Sequence, residues 1–138
     1  RNILTDGREL FFADFGLAMS TQFDLSDDEL EFAEHNQLHD LSHTITQLVN
    51  WLVTTTGGID TNDFHQRTKL IAMCASGEYV KFSSEPASSL IYRYVKIVHL
   101  FNYFFGRLFG AFWEPPFPAN ELRIAWSQLL HAESQLDI

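Results

Sequence analysis

The sequence predicts a mainly α fold, one domain spanning all 138 residues that opens on a single short β-hairpin. Three observations carry this expectation. Apolar residues recur at helical spacing through most of the chain after Ser26. Ser, Asp, Gly and Pro residues punctuate those stretches where helices start and stop. Strand-like runs occur near the N-terminus, on either side of Asp6-Gly7.

Asn2–Thr5 and Glu9–Ala13 are short apolar runs flanking Asp6-Gly7, the strongest short-range hairpin signal. Two strands are marginal alone, so the hairpin needs helices to rest on. Ser26-Asp27-Asp28-Glu29 reads as a capping box, with Leu25 and Leu30 at the positions of a hydrophobic staple. It opens a short acidic helix to about His35, whose charges, Asp24 to Glu34, form a solvated face. A second helix spans roughly Asp40 to Thr54, with Leu41, Ile45, Leu48, Val49 and Leu52 on one face, and Gly57-Gly58 end it. Asp60 to Asp63 supplies an N-cap for a third helix to about Ala75, which Gly77 stops. A long helix from about Ala87 to Phe112 is too evenly apolar to keep a solvated face along its length, and Pro115-Pro116 prevents its continuation. A last helix runs from Asn120 to about Ser134.

Composition narrows the function classes. An apolar fraction of 46% with thirteen Phe residues excludes disorder. A net charge of −9 argues against nucleic acid and against an anionic membrane surface. It leaves room for a nucleotide held by magnesium and a few N–H groups. The single cysteine, Cys74, forms no internal disulfide and reads as a buried thiol in a reducing, cytoplasmic compartment. Leu90 to Trp113 is apolar, yet Arg93, Lys96, His99, Asn102 and Arg107 would make it a costly membrane span, so a buried helix is expected. The N-terminus carries no signal-peptide pattern, and its abrupt start reads as a piece of something longer.

Asn2-Ile3-Leu4, followed about a dozen residues later by Asp14-Phe15-Gly16-Leu17-Ala18, resembles the catalytic core of the protein-kinase-like superfamily. The likeness covers the C-terminal lobe, from the catalytic-loop Asn through the D-F-G motif onward. The resemblance implies that Asn2 and Asp14 are magnesium ligands at the two ends of the hairpin, with Asp14 the principal one. It makes Phe15 the packing residue that reports active geometry and Gly16 the hinge behind it, completing a Mg-ATP site of Asn2, Asp14, Phe15 and Gly16. The catalytic base would lie upstream of Arg1, as would the Gly-rich loop, the strand lysine and its glutamate, so the chain alone holds no complete active site. Asp40, before an apolar helix with Leu48 eight residues on, looks like the scaffold Asp that fixes the catalytic loop. Only 23 residues separate Gly16 from Asp40, and no A-P-E motif appears. That short segment leans toward the atypical and small-molecule branches, such as the aminoglycoside phosphotransferase or RIO-like ones.

The resemblance therefore implies residues 1–16 as a metal-binding hairpin and 24–138 as a helical C-lobe, with ATP and magnesium as cofactors and a hydroxyl acceptor. The alternative is a helical interaction module that keeps the fold without chemistry. A third possibility is a metal protein built on His35, His39 and His43, which recur every fourth residue, unless the helix breaks near Asn36-Gln37. Ser20 and Thr21 sit where an activation segment carries a phosphate switch. Gly106 and Gly110 could admit another helix closely, or simply space out Phe104, Phe105 and Phe109. The run Phe101 to Trp113 is expected in the core, with any exposed part favouring self-association.

Overall fold

A computed structural model describes residues 3–12, 20, 22–110 and 115–134, which form five helices and one short antiparallel ladder. The chain divides into two compact units, Arg1–His35 and Asn36–Ile138.

In the first unit, β1 (Ile3–Thr5) pairs with β2 (Leu10–Phe12), Ile3 facing Phe12 and Thr5 facing Leu10. This register leaves Asp6-Gly7-Arg8-Glu9 as a four-residue loop, where Asp-Gly alone suggested a two-residue turn. The reason is the Asp6 carboxylate, which accepts from the N–H groups of Arg8 and Glu9, both at 2.9 Å, and so fills the loop from inside. Those two N–H groups hold the Asp6 carboxyl below its ordinary value. Gly7 supplies the left-handed φ of 91° that the loop needs. Helix α1 (Asp27–His35) opens on the capping box: Ser26 N–H donates to Glu29 Oε2 at 2.8 Å, and Glu29 N–H donates to Ser26 Oγ at 3.4 Å. None of its described residues is buried, and Leu30 of the expected staple is largely exposed.

The second unit holds α2 (His39–Thr56), α3 (Phe64–Ala75), α4 (Glu85–Gly110) and α5 (Ala119–Ser134). Their ends follow from local chemistry. The Asp63 carboxylate caps α3 by accepting from Gln66 N–H at 2.8 Å. Gly77, at φ 91°, ends it in a Schellman motif, with Glu78 N–H on Met73 C=O and Gly77 N–H on Cys74 C=O. Gly58, at φ 66°, does the same for α2, where Ile59 N–H reaches Thr54 C=O.

Helix α4 lies at the centre, packed by α2, α3 and α5. It buries Ala87, Ile91, Val95, Val98 and Asn102 on one stripe, at spacings of three and four, and Ile97 with Phe101 beside it. The first stripe meets Val49 and Val53 of α2 and Ile71 and Cys74 of α3. The second meets Leu122 of α5. Two buried sides explain the even apolarity of the sequence, but α4 keeps an exposed edge at Ser89, Arg93, Lys96 and Tyr103. No helix among the described residues is long and apolar enough to cross a membrane.

The buried face of α2 keeps Val49 of the expected one, with Ile45 and Leu52 packed partly buried against the core, and departs from it elsewhere. Ser42, Thr46, Val49 and Val53 are buried, whereas Leu41, Leu48 and Trp51 are exposed, Trp51 by 62%. In this orientation Trp126 of α5 donates its indole N–H to Ser42 Oγ at 3.0 Å. A buried indole N–H needs an acceptor, and a short hydroxyl side chain gives one without holding the helices apart.

Candidate functional site

The helical unit contains a groove of about 570 Å³ between α2, α3 and α4. Four residues of α2 one turn or less apart, His43, Thr46, Gln47 and Asn50, form one wall. Phe64 and Arg67 close it from the first turn of α3, and Asn102, Phe105, Gly106, Phe109 and Gly110 line it from α4. A cavity of this size with a few convergent polar groups is the usual form of a small-molecule site.

Its polar groups fall into two kinds. Some are already paired. Asn50 and Asn102 face each other across the helix contact and exchange amide bonds, Asn50 Nδ2 to Asn102 Oδ1 at 3.1 Å and the reverse at 3.0 Å. Gln47 Nε2 lies 3.1 Å from His43 Nε2. Burial, and then the charge of His39, push His43 below its ordinary value, with Asp40 pulling weakly the other way. The ring also packs against Phe101 and Phe105.

The others are unpaired. Among the described residues, the buried side-chain nitrogen and oxygen atoms without a hydrogen-bond partner are Thr46 Oγ1 and Arg67 Nε. Both residues line this groove, but the two atoms themselves are shut off from solvent. Thr54, Thr56 and Thr68 donate their hydroxyls to the carbonyl four residues back, as helical threonines do, and Thr46 does not. Arg67 is half-buried, its guanidinium 5.3 Å from the centre of the Phe64 ring. Among the described residues, no carboxylate lies within ion-pairing distance of it and none of the groove's lining is acidic.

The residues expected to form the metal-nucleotide site are placed only in part. Asn2, Asp14, Phe15 and Gly16 lie outside the described residues, as does Thr21. Asp40 stands fully exposed in the first turn of α2, its carboxylate 3.0 Å from His39 Nδ1. Ser20 Oγ accepts from Gln22 N–H at 3.2 Å. The helix breaks between His35 and His39, so the three histidines do not share one helix, and no His, Cys, Asp and Glu cluster suited to a metal occurs among the described residues. A Cβ at Gly106 or Gly110 would meet nothing within 4 Å among the described residues, and both glycines line the groove. Cys74 is buried and burial raises its thiol pKa, which leaves it a core residue.

Sequence reading missed this groove, since Thr46, Asn50, Arg67 and Asn102 belong to three helices and form no motif. The available signal was Asn50 and Asn102, amides set among apolar helical positions. Comparisons with family models, curated proteins and solved structures find no match to the chain.

Proposed function

We propose that the chain is part of a kinase-like phosphotransferase, carrying its metal-gripping hairpin and a helical lobe. One observation supports this most. With Ile3 opposite Phe12, the chain enters and leaves the ladder at the same end, opposite the Asp6–Glu9 loop. Asn2 directly precedes Ile3 and Asp14 follows Phe12 by two residues, so both belong to segments attached to one end of the ladder. The resemblance had put them at the two ends. The donor set fits as well, because an amide oxygen and a carboxylate are the hard ligands that magnesium takes. Asn2 and Asp14 would hold the metal, which supplies charge neutralisation along a nucleotide's phosphates. Phe15 and Gly16 would set the orientation of Asp14, ATP would be the donor, and the acceptor a hydroxyl compound. Asp40 would act as a scaffold residue.

Manganese tests this on the chain itself, since it takes the same oxygen ligands and broadens nearby NMR signals. The amide signals of Ile3 and Phe12 should broaden before those of Asp27 and Asp28 in acidic α1, excess magnesium should restore them, and Asp14→Ala should abolish the effect. Broadening that starts at α1 and persists in Asp14→Ala would refute the proposal.

The groove favours a second reading, a helical binding module without phosphoryl transfer. Its polar lining belongs wholly to residues 43–110, independent of the hairpin.

A further inference from the structure

We infer that the solvent face of α2 is a self-association surface, pairing antiparallel with the same face of a second copy of this chain. The inference stands apart from the phosphotransferase proposal, since it uses no residue of the hairpin.

An exposed helix face normally carries charge. This one does not: from Leu41 to Ile59 the sequence holds no Asp, Glu, Lys or Arg, in a chain with 18 acidic and nine basic residues. Its outer side carries apolar groups instead. Leu41, Thr44, Leu48 and Trp51 are all exposed, Leu41 by 49%, Leu48 by 42% and Trp51 by 62%. Steps of three and four keep these four on one stripe, the form of seam that a second helix packs against.

Charge and spacing select the occupant. A partner recognised by ion pairs finds none to make on this stripe, so what fits it is another uncharged apolar stripe. The steps from Leu41 to Trp51 run three, four, three, and read the same in both directions. A reversed copy therefore matches them layer for layer: Leu41 meets Trp51 of the second copy, Leu48 meets the methyl of its Thr44, and symmetry repeats both contacts. A parallel pair would set Trp51 against Trp51 and bring the two exposed Asp40 carboxylates together at one end. In the antiparallel pair those carboxylates lie about 18 Å apart along the axis, at 1.5 Å per residue, beyond the screening length, and the helix dipoles oppose. Covering Leu41, Leu48 and Trp51 removes about 300 Å² of side-chain surface per copy, well under the ~800 Å² that each partner of a standard interface buries. The dimer is therefore weak and concentration-dependent, with a charge of −9 on each copy opposing it.

Sedimentation equilibrium of the full chain tests this. The average mass should rise from one chain at ~1 µM toward two at ~1 mM, with a midpoint of about 100 µM. Added salt should tighten the dimer several-fold, since it screens the repulsion between copies and the paired stripes hold no ion pair to weaken. Leu48→Glu, at an exposed position, should stay monomeric at ~1 mM with its helical circular dichroism unchanged. Mixed under oxidation, Thr44→Cys and Leu48→Cys should form the crossed disulfide in preference to either homodimer, with Cys74 buried and out of the exchange. A parent chain that stays monomeric at ~1 mM, a folded Leu48→Glu that still dimerises, a dimer that loosens with salt, or homodimer disulfides in place of the crossed one would each overturn the inference.

Discussion

Replacing Asn50 and Asn102 by leucine, singly and together, probes the polar pair at the α2–α4 contact. The two amides make two reciprocal bonds, at 3.1 and 3.0 Å, and Asn102 is only 7% exposed while Asn50 is half-buried. Each such bond contributes about 1 kcal/mol net, whereas a buried amide left without a partner costs about 1–3 kcal/mol. Leucine is close to asparagine in shape, so neither change opens a large cavity. Asn50→Leu leaves the buried Asn102 amide facing methyl groups and should destabilise by about 2–3 kcal/mol. Asn102→Leu leaves Asn50, which water can reach from the groove, and should cost about 1–2 kcal/mol. In the double variant no amide remains to be orphaned, and its stability should return to within about 1 kcal/mol of the parent.

Urea unfolding followed by tryptophan fluorescence, to which Trp126 at its Ser42 contact contributes, reads all four proteins. With a denaturant slope of about 2 kcal/mol per M, Asn50→Leu should lower the midpoint by about 1 M, and the double variant should recover most of it. The coupling term is therefore large and favourable, at the upper end for neighbouring residues. Additive losses, with the double variant the least stable of the four, would refute the reasoning. They would mean that the amides act separately and that their mutual bonds do not hold the helices together.

Phe101, fully buried among His39, His43, Phe105 and Phe117, should cost about 3–5 kcal/mol on truncation to Ala, read by the same unfolding assay. Gly77→Ala forces a Cβ onto φ 91° at the end of α3 and should destabilise by about 1 kcal/mol, though the space around it is empty. Stability should fall as the pH drops from above the ordinary imidazole value of 6.5 through the lower folded value of His43, because the unfolded chain takes up that proton first. The pH slope should shrink in His43→Gln, and an NMR titration placing His43 at or above the ordinary value would refute it.

Helix ends were legible in the sequence because they depend on one or two local atoms. The Ser26–Glu29 box, the Asp63 cap and the glycines at 58 and 77 each act within four residues, and all appear where their chemistry requires. The orientation of α2 was not legible. Hydrophobic periodicity favoured Leu41 and Leu48, but the helix turns Ser42 and Thr46 inward. Ser42 finds its partner in Trp126, 84 residues away, a contact no local pattern announces. The groove escaped for the same reason. Its amide pair joins positions 52 residues apart. The residues of the metal-nucleotide expectation lie outside the described ones, apart from Asp40, so that site rests on its motif and the hairpin register.

The contrast within α2 separates polar residues that the fold satisfies from one that it does not. Ser42, Asn50 and Thr54 lie on or beside the buried face of one helix and are all bonded, Ser42 to an indole, Asn50 to an amide and Thr54 to a backbone carbonyl. Each can be explained by the fold alone. Thr46 shares their face and burial, yet its hydroxyl adds nothing to the fold, and valine would fill the same volume without the unpaired oxygen. Arg67 presents the same case at the opposite wall, where a shorter polar side chain would cap the groove without a buried, unpaired Nε–H.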